Sequence, residues 1–311
     1  MSAVSPRATI WRDPWAFAAA ASKLAPRAPG VPRGVFLVAP SEFSLAAESA
    51  TDNRYMRMSQ DANAQRAGDQ HQSLAQTLAT HGIPVMSFPG SAKTPDAVFP
   101  NNVFATAPGI VVVGAMRHAV RRREAERSDI RSWFRSVLGY REIDLSVCAC
   151  VAELTGSLVI DRARGIGFCG LSDRCDEAGA RAMASAFGLA HMLLFDLADG
   201  EYHTNVIMSA LAGRGVLMCP AGFAEADVPA AIATIYPGAS ISIDDEEKAS
   251  FVGNCIALGE DGLWMSATAA DALKASTRDA ISALGLQIHA VQLDEFEKAG
   301  GSLRCMIGEL Y

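Results

Sequence analysis

Four segments of the chain repeat one pattern: a small polar residue, a short apolar strand, a tight turn, a second apolar strand and a helical stretch. They read NNVFATAPGIVVVGAM from Asn101, GSLVIDRARGIGFCGLS from Gly156, TNVIMSALAGRGVLMCPAG from Thr204 and GNCIALGEDGLWMSATA from Gly253. Aligned on Asn102, Ser157, Asn205 and Asn254, the steps are 55, 48 and 49 residues. The turns carry Pro-Gly, Ala-Arg-Gly, Gly-Arg-Gly and Glu-Asp-Gly, the punctuation of hairpins. Helices are expected over 119–137, 175–188, 224–236 and 268–284, each followed by a third strand at 141–147, 191–197, 239–244 and 287–293. The unit is therefore ββαβ. The two ends of the chain supply a fifth: GGSLRCMIGELY from Gly300 gives its first strand, with Ser302 standing 48 residues after Asn254. GVFLVAPS from Gly34 gives its second, and a helix near 60–82 and a strand over 83–88 complete it. A blade built from both ends closes a ring and hides strand edges. The expected architecture is a five-bladed α/β propeller of pseudo-fivefold ββαβ repeats, a single domain over 34–311.

Composition narrows the class. Half of the 311 residues are apolar and 20% are charged, enough for a full core and unlike a disordered chain. Apolar runs such as 109–116 fall short of the roughly 18–20 residues a membrane span needs. A net charge of −7 gives no basic footprint for nucleic acid. Seven cysteines, at 148, 150, 169, 175, 219, 255 and 305, are odd in number and irregularly spaced, which reads as free thiols in a reducing cytoplasm. Cys148 and Cys150 have one residue between them and no matching second pair, so no metal site is expected. Residues 1–33, rich in Ala, Arg and Pro, read as an irregular N-terminal extension.

Equivalent positions in a closed ring meet at its axis, and the loops before each first strand carry the reactive residues. They are Asp96 to Asn102 in the second blade, Glu153 to Ser157 in the third, Glu201 to Asn205 with His203 in the fourth, and Gly300 to Cys305 in the closing one. Taken singly, Cys305 reads as a small core residue, His203 as a capping histidine, and Glu153, Asp96, Asn102 and Asn205 as turn residues. Their joint convergence reads instead as an active site. A thiolate nucleophile beside an imidazole acid–base is the chemistry such a set supports, and two carboxylates suit a small substrate rich in N–H donors.

At these residues the sequence resembles the guanidine-modifying superfamily, whose members include arginine deiminases, dimethylarginine dimethylaminohydrolases and amidinotransferases and whose fold is the five-bladed propeller called a pentein. The strings ESATDNRYM (48–56), DAVFPNNVF (96–104), RRREAER (121–127), ELTGSLV (153–159), YHTNVIM (202–208), FVGNCIAL (251–258) and EKAGGSLRCMIGELY (297–311) carry the resemblance, which is closest to the citrulline-utilisation hydrolases. It implies that Cys305 is the nucleophile, His203 the general acid and base, and Glu153 the carboxylate orienting the reacting group. It places Asp96 in the substrate loop. Arg121 or Arg122, and Arg174 in LSDR, resemble arginines that hold the substrate's α-carboxylate, a surface ion-pair role being the alternative. It also implies a chemistry without metal or organic cofactor, and homodimers are common among similar proteins.

One departure bears on substrate. Where deiminases carry carboxylates, Asn102 and Asn205 are amides. A guanidinium offers only donors, whereas a urea offers donors and an acceptor; losing a charge-assisted bond costs a guanidinium on the order of 1–3 kcal/mol per position. The expected activity is hydrolysis of a ureido amino acid, citrulline foremost, through an S-carbamoyl intermediate. A hydrolase of arginine or methylarginines, or an amidinotransferase, is the alternative, and a ligand-binding propeller without catalysis is the alternative of another class. The segment 41–59 is read as a flap over the channel.

Overall fold

The computed structural model describes residues 8–27 and 30–311. Five separate sheets follow the predicted unit. The first blade pairs Gly308–Leu310, Gly34–Val38 and Val85–Phe88; the second Phe104–Ala107, Ile110–Val113 and Arg141–Asp144; the third Leu158–Asp161, Ile166–Leu171 and His191–Asp196. The fourth joins Met208–Ala210, Val216–Met218 and Ser240–Ser242, and the fifth Ile256–Leu258, Gly262–Ser266 and Gln287–Val291. In every blade the first pair is antiparallel and the second parallel. The parallel pair needs a crossover, which the helices supply. The Ala107–Ile110 turn works because Gly109 takes a φ of 71°, which a side chain would disfavour.

The ring closes between the chain's two ends: Gly308, Glu309 and Leu310 pair with Phe36, Val35 and Gly34. A Cβ at Gly308 would lie 2.2 Å from the Phe36 ring, so only glycine lets Phe36 cross that strand. Five apolar clusters follow, each shared by neighbouring blades. Phe36 and Val111 join the first to the second, Val112 and Leu158 the second to the third, and Phe168 and Val216 the third to the fourth. Leu217 and Leu263 join the fourth to the fifth, and Trp264 and Leu37 the fifth to the first. Each fully buried large apolar side chain contributes roughly 1.5–3 kcal/mol, so the seams between blades hold the ring.

Two expectations are corrected. The segment read as irregular holds a strand, Thr9–Trp11, and a helix, Pro14–Ala21. The strand pairs with His191–Leu193 and covers the outer edge of the third blade, which would otherwise stay open. Asp13 caps the helix by accepting from the amides of Trp15 and Ala16, and Phe17 packs edge-on against Phe168, the two ring centres 5.7 Å apart. The helices expected as continuous over 119–137 and 268–284 are each two: Ala119–Ala125 with Ser128–Ser136, and Ala267–Ala272 with Ala275–Ala283. Among the described residues no helix is long and apolar enough to cross a membrane.

Candidate active site

One-turn helices precede four of the five first strands: Pro100–Asn102, Leu154–Ser157, Thr204–Ile207 and Leu303–Met306. They pack on one another at the hub and bring their loops to one small cavity. Asp96, Asn102, Arg121, Arg174, His203 and Cys305 line it. The repeat register needs a small correction here. The four register marks stand one to three residues before their strands; Cys305 stands three before Gly308 and Ser302 six, so the mark of the closing blade falls at Cys305 and not at Ser302.

Cys305 is buried, and its Sγ accepts from Asn254 Nδ2 at 3.3 Å and lies 3.7 Å from Asn205 Nδ2. Burial pushes its thiol above the ordinary range, partly opposed by the Asn254 hydrogen bond. His203 is fully buried, its Nε2 3.0 Å from Glu153 Oε2 while Nδ1 has no partner among the described residues. Burial lowers its pKa, and Glu153 opposes that shift. Glu153 is itself fully buried, which alone would raise its pKa; Arg174 at 3.2 Å, His203 and Arg121 together hold it well below the usual carboxylate range. Because Glu153 is ionised, Nε2 of His203 carries the proton and Nδ1 presents a lone pair. The ring of Tyr202 lies 4.4 Å from the imidazole and fixes its plane, with the Tyr202 hydroxyl donating to the Gly300 carbonyl at 2.5 Å.

Arg174 is spent on its neighbours: it donates to Asp52, to Glu153 and to the Ser49 carbonyl. Asp96 accepts from Ser49 Oγ at 2.5 Å, and burial raises its pKa against the pull of Arg121. Arg121 is clamped by Glu124 at 2.9 Å and by the Phe99 carbonyl. Asn102 Oδ1 is buried and unpartnered among the described residues. Two candidates fall elsewhere. Asn205 sits behind the sulfur, donating to the Thr155 carbonyl at 3.1 Å and lining a cavity on the opposite side of the hub. Arg122 donates to the carbonyls of Met116 and Arg117 and lines a separate cleft with Cys148 and Cys150.

Sequence reasoning missed several contributors. Ser49 and Asp52 belong to the segment read as a flap, and they reach Asp96 and Arg174 directly. Asp52 also meets His118 at 3.0 Å and Arg117 at 3.2 Å. The string ESATDNRYM marked this segment but not which of its side chains turn inward. Asn254 served as a register mark, and its contact with the sulfur needed the fold.

The five-bladed ring and the Cys–His–Glu hub define the guanidino-modifying pentein class. Over residues 39–311 the chain matches the family described as N,N dimethylarginine dimethylhydrolase, eukaryotic, and belongs to it. It is a hydrolase of carbon–nitrogen bonds other than peptide bonds. Similar proteins include an uncharacterized Caenorhabditis elegans protein, 24% identical over 280 residues covering 88% of this chain and 92% of that one. The bifunctional arginine dihydrolase/ornithine cyclodeaminase AgrE of Nostoc is 25% identical over 241 residues, 78% of this chain, of which the match spans only 33% of AgrE. Among solved structures, the N-terminal domain of ArgZ, a cyanobacterial arginine dihydrolase, aligns with a TM-score of 0.77 at 20% identity, covering 89% of this chain and 97% of that domain. A dimethylarginine dimethylaminohydrolase aligns with a TM-score of 0.68 at 18% identity, over 90% of this chain and all of that one. These likenesses establish the fold.

Proposed function

We propose that the chain hydrolyses citrulline to ornithine, ammonia and carbon dioxide. Cys305 and neutral His203 line one cavity; with substrate between them the thiol proton passes to Nδ1, unpartnered among the described residues, and the thiolate attacks the trigonal ureido carbon. His203 then protonates the departing nitrogen, leaving an S-carbamoyl enzyme. Water activated by the same imidazole hydrolyses that intermediate and restores the thiol. Cys305, His203 and Glu153 are the catalytic set; Asp96 and Asn102 face the substrate, and Arg121 and Arg174, each paired with carboxylates, hold the cavity wall around it. The observation that carries the ureido reading is that a neutral amide, Asn102, and not a carboxylate, lines the cavity beside His203, with an Oδ1 free, among the described residues, to accept an N–H. An amide there meets a group with both N–H and C=O at no charge penalty.

A guanidino substrate is the second reading, favoured by the two buried carboxylates Asp96 and Glu153 and by the likeness to AgrE, described as an arginine dihydrolase. Asn205, placed behind the sulfur, no longer argues for either. Purified protein incubated with citrulline, arginine and methylarginines, with ornithine, citrulline and ammonia measured, separates the readings. Ornithine from citrulline, lost in Cys305→Ser, is the expected result. Arginine converted while citrulline is left untouched overturns the ureido preference, and full activity in Cys305→Ser overturns the mechanism.

A further inference from the structure

We propose that Asn254 is a catalytic residue whose side-chain amide donates to the Cys305 sulfur and stabilises the attacking thiolate, Asn205 completing a cradle of amides. The assignment deepens the cysteine-hydrolase reading and rests on it. Among the described residues, Sγ accepts from Asn254 Nδ2 at 3.3 Å and from Asn205 Nδ2 at 3.7 Å, while the thiol can donate to Asn205 Oδ1 at 3.8 Å, a contact the thiolate gives up. The charged and titratable groups near the sulfur are His203, Tyr202, Asp96, Arg121 and Arg174 around the cavity, and Arg304 next in sequence. Arg304 turns away to Glu309 at 2.7 Å and to the Ile307 carbonyl. With no cation in contact among the described residues, a buried thiolate draws its stabilisation chiefly from neutral donors, Asn254 foremost, assisted by the Ser302 backbone and by the charge of Arg304.

The orientation of the Asn254 amide is fixed. Its Oδ1 accepts the backbone N–H of Cys305 at 3.4 Å, and its Nδ2 also donates to the Asn205 carbonyl at 2.8 Å. Only Nδ2 can then face the sulfur, which suits S⁻, whereas Oδ1 would repel it. The turn that presents Asn254 is strained: Phe251, an aromatic residue, holds a φ of 63°, and its carbonyl accepts the Asn254 N–H at 2.9 Å. Strain of this kind persists where the surroundings demand it, and here it aims a fully buried amide at the nucleophile.

The alternative is that Asn254 is only a strut between two loops, and the thiol's titration decides. Iodoacetamide alkylation of the Cys305 peptide, followed by mass spectrometry from pH 7 to about 11.5, reads the midpoint of thiolate formation, or its displacement up the rising limb, in wild type, Asn254→Ala and the nearly isosteric Asn254→Asp. Cys305→Ser gives the background from the other six cysteines. Loss of a hydrogen bond to the charged sulfur should raise the midpoint by about one unit in Asn254→Ala, a tenfold loss of thiolate at fixed pH. The carboxylate of Asn254→Asp should raise it further, with kcat falling more than KM changes in both. Unchanged midpoints in both variants, with lower thermal stability alone, overturn the proposal. Because alkylation needs no substrate, the result stands apart from whether citrulline is turned over.

Discussion

Gly156→Ala probes the hub with one methyl group. Gly156 lies in the one-turn helix Leu154–Ser157, and its φ lies outside the left-handed region, so alanine costs the backbone nothing. A Cβ there would stand 2.4 Å from Asn102 Oδ1, 2.7 Å from His203 Cε1 and 2.8 Å from His203 Nδ1. Ordinary contact begins near 3.4 Å, so the imidazole must retreat by about 0.7 Å. It has little freedom to do so: Glu153 holds Nε2 at 3.0 Å and Tyr202 covers the ring. Overpacking costs roughly 1–3 kcal/mol, offset by about 1 kcal/mol of helix preference, so the fold should survive. Displacing an acid–base group by about 1 Å costs on the order of 100-fold in rate, about 2.7 kcal/mol of barrier. Steady-state kcat at saturating substrate, with the thermal midpoint measured alongside, reads both effects. A variant that keeps kcat within twofold of wild type refutes the claim that Gly156 leaves room for the catalytic imidazole.

Glu153→Gln should remove the charge that supports His203 and one of the two carboxylates that pair with buried Arg174, Asp52 remaining as the other. Loss of one charge-assisted partner costs about 1–3 kcal/mol, read as an earlier denaturant midpoint, together with a kcat loss of at least tenfold; an unshifted midpoint would contradict the pairing. Burial lowers the pKa of His71 to about 4, and its Nε2 has no partner among the described residues. The unfolded state, with a pKa near 6.5, then binds more protons between these values, so stability is complete above about pH 6.5 and falls as pH drops toward 4. His71→Leu should remove about 2 kcal/mol of the loss between pH 7.5 and pH 5 in urea titrations, and parallel losses in both proteins would rule this out.

The ring was legible because each blade spells itself out separately, and no single weak strand had to bear the inference. The N-terminal helix was not, because PWAFAAAA is apolar all round and shows no periodic face to read. At the site, register told which loops meet at the axis but not which side of the hub a residue serves. Asn205 and Asn102 share a register mark, yet one lies behind the sulfur and the other in front of it. Arg121 and Arg122 are adjacent on one helix, about 100° apart around its axis, and only Arg121 turns to the cavity. Spacing in a ring fixes position around the axis; depth along it comes from packing.

Depth also decides how the two candidate substrates differ. With Cys305 pushed up and His203 pulled down, both by burial, the resting cavity is lined by a neutral thiol and a neutral imidazole and not by an ion pair. A guanidinium brings its own positive charge into the cavity and favours loss of the thiol proton as it binds. A ureido group brings none. Its hydrolysis must rely on groups already in place, the Nδ1 lone pair of His203 and the amide donor of Asn254 at 3.3 Å. Thiolate formation and substrate choice are therefore coupled at this hub: the less charge the substrate carries, the more of the reaction depends on the neutral donors around the sulfur.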